Sequence, residues 1–334
     1  MDKYEQRGVS ASKTEVHQAI RYLDEGLYPN AFCKVMPDWL TGDPQYATLM
    51  HADTAGTKTS LAYLYWQETG DATVWQGIAQ DALVMNTDDL ACTGVVDHIT
   101  LSNTIGRNKR LIPGEVLEQL IEGTTAFIEQ MADHDVRLYH AGGETADVGD
   151  VVRTLDMGFT TYARLPRSAV IANQIQPGAA IVGLASDGQA FYEEAPNSGI
   201  GSNGLTMARH ELLSHDYAQA YPESFDPGLE EAVVYTGRYR LADRPHGRDQ
   251  SIGQLLLAPT RTYLPFVKAL LEDMAPHVQG LIHCTGGGQG KVKHFLQDVQ
   301  VVKDQLMPVP PVFQLIQEQT QTPWETMYRV FNMG

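Results

Sequence analysis

At 334 residues, with 43% hydrophobic and 19% charged residues, the chain has the composition of a folded globular protein and the length of two domains rather than one. Lys and Arg total 24 against 41 Asp and Glu, and the resulting net charge of −17 disfavours nucleic acid and anionic membranes as partners, because both require basic surface. There is no apolar run long enough for a membrane span, and the polar start Met1-Asp-Lys-Tyr-Glu-Gln-Arg7 has no secretory core.

The first elements read as mixed α/β. Thr48-Leu-Met-His-Ala52 is a short strand candidate that delivers Asp53 to a turn. From Trp75, the apolar positions Ala79, Leu83, Val84 and Leu90 keep helical spacing, ending near Gly94. Pro113 opens a second helix with the stripe Val116, Leu117, Leu120, Ile121, Phe127, Ile128 and Met131. Val136-Arg-Leu-Tyr-His140 reads as a strand entering a Gly142-Gly143 turn, and residues 155–163 as another. Leu165-Pro166-Arg167 marks the exit from a first domain, so domains of 1–166 and 167–334 are expected. In the second, Ala179–Leu184 and Gly280–Cys284 read as strands, and the segment from Ser214 to Gly253 as surface covering. Tyr263, Val267, Leu270, Leu271 and Met274 predict an amphipathic helix.

Three scattered cysteines, Cys33, Cys92 and Cys284, provide neither a disulfide framework nor a zinc site, so reduced thiols and a cytoplasmic location are expected. The chemistry concentrates elsewhere, where acid stands next to glycine. Asp53 is followed by Gly56, Thr57 and Lys58: a carboxylate suits Mg²⁺, glycine exposes backbone N–H groups, and a lysine neutralises phosphate. The same run is also what an ordinary turn with a surface lysine looks like, since it is not a phosphate-loop motif. Asp81 and Asp88 are seven residues apart on one helix face with Asp89 beside them, an array that suits either a cation or a solvated face. Gly143-Glu144 is a further ligand candidate or the acid of a helix start. Thr285, Gly286, Gly287 and Gly288 follow an apolar stretch and precede Lys291 and Lys293, as a phosphate cradle or a structural turn would. The histidines show no metal-ligand spacing, and Cys284 has no activating neighbour.

The order of the motifs is more specific than any one of them. Tyr4-x-x-Arg-Gly-Val9, Asp53-x-x-Gly-Thr-Lys58, Gln80-Asp-Ala-Leu-Val-Met85, Asp88-Asp-Leu90, Gly142-Gly-Glu-Thr-Ala146, Ser202-Asn-Gly204, Pro259-Thr-Arg-Thr-Tyr263, His283-x-Thr-Gly-Gly-Gly288 and Phe331-Asn-Met-Gly334 occur in one series. That series closely resembles the aminoimidazole ribonucleotide synthetase family, also called phosphoribosylformylglycinamidine cyclo-ligase. The resemblance implies a two-domain α/β (α+β) fold, with the N-terminal sheets of two subunits pairing into a barrel and a C-terminal α/β domain. It implies ATP and Mg²⁺ as cofactors, a phosphorylated ribonucleotide as small-molecule substrate, and a homodimer. Its reaction closes formylglycinamidine ribonucleotide to aminoimidazole ribonucleotide with release of ADP and phosphate.

Carried over position by position, the resemblance makes Asp53, Asp81 and Glu144 the expected magnesium ligands. Asp53, Gly56, Thr57, Lys58, Asp81, Asp89, Gly143 and Glu144 become the nucleotide site, with Lys58 and Asp53 catalytic. Asn203, Arg261, Thr285, Gly286, Gly287 and Gly288 become substrate contacts. The chain departs from the family pattern at Ser10, where Asp is usual, and at Gly201, which stands at the histidine position of a longer 186–204 loop. It also stops at Phe331-Asn-Met-Gly334, where the family continues, so the second domain is expected to be cut short. The alternatives are a non-catalytic ATP-binding homologue, or another ATP-using relative akin to formylglycinamidine ribonucleotide synthetase or thiamine-monophosphate kinase.

Overall fold

The computed structural model describes residues 3–9, 14–296 and 298–334; Ser10 lies outside them. Two opening helices, α1 (Lys3–Gln6) and α2 (Thr14–Ile20), precede a five-stranded mixed sheet. Its strands are β1 (Met36–Pro37), β2 (Tyr46–Thr54), β3 (Ile99–Arg107), β4 (Leu138–Asp147) and β5 (Leu155–Pro166), in the order β1-β2-β5-β3-β4. β2, β5 and β3 pair antiparallel, and β4 adds to β3 in parallel.

Helices α3 (Lys58–Thr69), α4 (Val74–Ala91) and α5 (Gly114–Ala132) connect these strands. Alternation decides which sheet face they cover: Ile99, Leu101, Asn103 and Ile105 of β3 are buried, while Ser102 and Thr104 between them are exposed. α5 shows the expected one-sided stripe, with Val116, Leu120, Phe127 and Met131 buried. α4 does not. Almost every residue from Asp81 to Ala91 is buried, because α4 lies between the sheet, α5 and the second half of the chain. A helix enclosed on all sides has no solvent face for its three aspartates, which must therefore find partners within the protein.

Two predicted boundaries move, with consequences for the site. β2 runs on through Thr54, so Asp53 is a strand residue and not a turn residue. β4 runs on to Asp147, so Gly142-Gly143-Glu144 is neither a turn nor a helix start but the middle of an edge strand. The glycines serve the register irregularity between Leu101 and Asn103 of β3. A Cβ at Gly143 would lie 2.2 Å from the Asn103 carbonyl oxygen, and Gly142 adopts φ +90°.

The second half departs further from expectation. It contains α6 (Leu205–Leu212), α7 (Asp216–Ala220), α8 (Ile252–Leu257), α9 (Leu264–Met274), α10 (Pro311–Thr320) and α11 (Trp324–Val330). Its strands are a two-residue pair, β6 (Asp187–Gly188) and β7 (Asn197–Ser198). The segments 179–184 and 280–284 form no strand, and Ile181 and Val182 are exposed. An apolar run becomes a strand only when a neighbouring strand takes its backbone hydrogen bonds; here Leu281 N bonds the Asn173 side chain and the Leu184 carbonyl accepts from Tyr263 Oη instead. Residues 214–253 are not merely a cover, since Tyr217, Val234, Tyr235 and Leu241 are core residues. Phe331 and Met333 close this core beside Phe313. Among the described residues no helix is long and apolar enough to cross a membrane.

Candidate functional site

Two of the three aspartates of α4, Asp81 and Asp88, fasten the first half of the chain to the segment Pro259–Tyr263. Asp81 Oδ1 accepts from Lys58 Nζ at 2.8 Å, from Thr260 N and Oγ1 at 2.7 and 2.6 Å, and from Ser202 Oγ at 3.1 Å. Its second oxygen, Oδ2, is buried without a partner. Lys58 also donates to the Gly201 carbonyl at 3.2 Å and the Ala258 carbonyl at 2.6 Å, which engages all three of its ammonium protons. Burial depresses the Lys58 pKa, and the Asp81 carboxylate works against that depression. Two turns further along the same face, Asp88 accepts from Thr262 Oγ1 at 2.7 Å and Tyr263 N at 2.6 Å. Burial dominates there, and the Asp88 pKa rises to about 6.

Asp89 faces the strand ends instead. Its Oδ1 lies 2.7 Å from His283 Nδ1, and its Oδ2 lies 3.3 Å from His51 Nε2. His51 Nδ1 is 3.1 Å from Asn86 Oδ1. Asn86 donates through Nδ2 to the carbonyls of Asp53 and Ala82, so its oxygen must be the acceptor from His51. His51 therefore donates from both nitrogens and carries both protons. Burial opposes that charge, but Asp89 and Asn86 outweigh it and raise the His51 pKa. Burial likewise opposes the Asp89 charge, and the hydrogen bonds from His283 and His51 overcome it, holding that carboxyl below the usual range.

Loops distant in sequence meet opposite this face. Gly286 lies against Asn203, 3.6 Å from its Oδ1 to a Cβ built on the glycine. Gly288 leaves no room for a side chain, since a Cβ would lie 2.4 Å from the Phe331 carbonyl oxygen. Thr285 Oγ1 accepts from Lys291 Nζ at 2.6 Å, and Gly287 adopts φ +89°. Gly204 lies against the Phe331 ring, so the Ser202–Gly204 loop, the Thr285–Gly288 loop and the Phe331–Gly334 segment form one packed unit. Thr57, before α3, accepts from Thr206 of α6 at 3.3 Å, and Gly56 is open with φ +62°.

The other expected contacts are placed differently. Arg261 is 7% exposed and pairs with Glu193 through Nε at 2.9 Å and through Nη2. It also donates to the carbonyls of Ala185, Asp187 and Gly188, which clamps the 185–193 loop. Asp53 and Glu144 do not meet within one chain. Register puts Asp53 level with Phe159, Asn103 and Gly143, on the helix-covered face. Glu144 is level with Thr104, Gly158 and Thr54, on the open face. Three strand spacings, about 14 Å, separate the two strands. Asp81 is interior to both. Among the described residues no three His, Cys, Asp or Glu side chains form a set able to hold a metal ion. A ligand set of Asp53, Asp81 and Glu144 does not fit a single chain.

Sequence reasoning gave no site role to His51 or Asn86, nor to Ser202, Thr260, Thr262 and His283, which it met only within motifs. One signal was available for His51: it precedes Asp53 by two on a strand and so shares its face. The pairing of His283 with Asp89 across 194 positions carries no local signature.

The model of AIR synthase related protein, N-terminal domain, matches residues 33–164. This part of the chain is thus similar to an AIR synthase related N-terminal domain. A phosphoribosylformylglycinamidine cyclo-ligase of Methanopyrus kandleri is 35% identical over 200 residues, 58% of this chain and 47% of that protein. One from Methanothermobacter thermautotrophicus is 29% identical over 312 residues, 89% of this chain and 76% of that protein. The chain thus spans about half the length of the first relative and about three quarters of the second. Thiamine monophosphate kinase from Aquifex aeolicus superposes with a TM-score of 0.46 at 10% identity, over 96% of this chain and 84% of that chain. The family match covers β2 to β5 and α3 to α5, which carry every acid of the site.

Proposed function

We propose that this chain belongs to the AIR synthase related family and performs the reaction its relatives are named for, the ATP-dependent closure of formylglycinamidine ribonucleotide to aminoimidazole ribonucleotide. The observation that carries the reading is the meeting of Lys58 with Asp81 and the Gly201 carbonyl, which joins the acidic half of the chain to the loop bearing Ser202-Asn203-Gly204. ATP transfers its terminal phosphoryl group to the formyl oxygen, making it a good leaving group. The amidine nitrogen of the same molecule then attacks the formyl carbon, the C–O bond to phosphate breaks, and the nitrogen loses its proton. Both reacting groups belong to one substrate, so orientation supplies much of the acceleration.

In this reading Gly56, Thr57, the Asn203 amide and the backbone of Thr285–Gly288 hold phosphate groups, and Gly143 lets β4 approach β3. Lys58 acts through the Gly201 turn that it pins, because its own donors are engaged. Arg261 acts through the loop it clamps. Asp53 sits at the rim with the charged His51 and Asp89 beside it. Magnesium shared between Asp53 and Glu144 would need a second copy of the chain, so we also propose a homodimer formed on the open sheet face. That face carries Met50, Tyr162, Thr100 and Tyr139 in one register row.

The test is an assay of purified protein with ATP and formylglycinamidine ribonucleotide, following ADP and the aromatic amine product separately. Equal amounts of both are expected; no substrate-dependent ADP from folded protein would overturn the reading.

A further inference from the structure

Away from this site, at the far end of α6, a cationic cluster lies inside the protein. Arg7 is 4% exposed, Arg209 4% and His210 0%. Arg7 donates from Nε to the Val233 carbonyl at 2.9 Å and pairs through Nη2 with Glu211 at 2.6 Å. Arg209 donates from Nη1 to the Ser224 carbonyl at 2.6 Å and to Tyr235 Oη at 2.9 Å. His210 Nδ1 accepts the Tyr235 N–H at 3.1 Å, so its other nitrogen carries the proton. All three side chains therefore gather on the Val233–Tyr235 segment.

Each of them keeps a buried donor with no partner: Arg7 Nη1, Arg209 Nε and His210 Nε2. An unsatisfied buried donor is costly, and more so on a charged group, so three together are exceptional. The charges do not balance either: Arg7 pairs with Glu211, and among the described residues Arg209 has no ion pair. His210 does not add to the excess: burial, then Arg209 and Arg7, push its pKa down to about 2 and keep it neutral. What the cluster lacks is a second group, beside Glu211, that only accepts hydrogen bonds and carries one negative charge.

We propose that Arg7, Arg209 and His210 form a buried binding site for a small monovalent inorganic anion of the halide class, held by Arg7 Nη1, Arg209 Nε and His210 Nε2. The anion removes the excess charge and satisfies the three donors. It also ties the opening segment to α6, whose first residue follows the Ser202–Gly204 loop directly. Occupancy at one end of the helix thereby steadies the loop at the other.

The experiment uses the full chain, with bromide as probe. Crystals grown in sodium bromide are expected to show an anomalous peak in contact with all three nitrogens. At constant ionic strength the unfolding midpoint is expected to rise as chloride or bromide replaces gluconate. Each tenfold increase above the dissociation constant shifts the folding equilibrium tenfold, as one-site linkage requires. Arg209→Met is expected to abolish that dependence. Should this variant not fold, the two wild-type measurements decide the matter. A water molecule in place of bromide, or equal midpoints in gluconate and halide, would overturn the proposal.

Discussion

Lys58 Nζ and Asp81 Oδ1 form an ion pair 2.8 Å long with neither side chain exposed to solvent. It joins the first residue of α3 to the middle of α4 and, through the same ammonium group, to Gly201 and Ala258. A pair of this kind contributes little net stability when intact but is costly to break on one side. Lys58→Met should therefore destabilise the protein by about 3–5 kcal/mol, because a buried carboxylate is left without its cation. Adding Asp81→Asn removes that charge and keeps an oxygen to accept from Thr260 and Ser202. The double variant should recover more than half of the loss in urea denaturation, and a purely additive result would show that the two groups do not interact.

Asp88 provides the clearest pH signature. Its folded pKa, raised to about 6, lies above the ordinary value of 3.8, so the native state binds the proton more tightly than the unfolded chain. The stability from that preference is complete below about pH 4 and is lost as pH rises through about 6. Asp88→Asn keeps an acceptor toward Thr262 or Tyr263 without a charge. Its stability relative to wild type should rise between pH 4 and 6 and level off above. A flat difference across that window in chemical denaturation would show that Asp88 is not held protonated.

The proposed dimer face makes a prediction of its own. Met50 is 65% exposed and Tyr139 47%, and register places both on the open face in the row that includes Tyr162. A sheet face with such residues in line is the kind of apolar patch that soluble proteins cover by association. Met50→Asp should move the sedimenting species from dimer toward monomer and leave thermal stability of the monomer nearly unchanged. Wild-type protein that sediments as a monomer at micromolar concentration would refute the pairing, and with it a metal site shared by Asp53 and Glu144.

Legibility in the sequence followed how local each determinant was. α5 showed itself through a one-sided stripe and β5 through alternation, because neighbours in sequence share those environments. α4 was recognisable as a helix, but its aspartates read as metal ligands or a solvated face, since nothing nearby reveals that Thr260, Thr262 and Tyr263 cover them. Gly142-Gly143 was correctly singled out but given the wrong reason, because a bulge against Asn103 and a turn demand the same residue. The strands expected at 179–184 and 280–284 failed for the opposite cause. Their apolar composition is a property of the segment, whereas pairing is a property of its neighbours.

Arg261 is engaged within the protein itself. Its guanidinium holds Glu193 and three carbonyls between Ala185 and Gly188, a planar arrangement of donors that an ammonium group cannot reproduce. Arg261→Lys should thus keep the positive charge and lose the clamp. Amide hydrogen exchange across 185–193 should accelerate by about ten-fold or more, the equivalent of roughly 1.4 kcal/mol in local opening, while α4 and β5 keep their protection. A substrate contact at Arg261 would instead leave exchange in the free protein unchanged and raise KM alone. The loop runs from Ala185 to Glu193 and ends just before Asn197–Ser198, which pairs back onto Asp187–Gly188. Loosening it therefore loosens the approach to Gly199–Gly204, and the expected kinetic result is a fall in kcat together with a rise in KM.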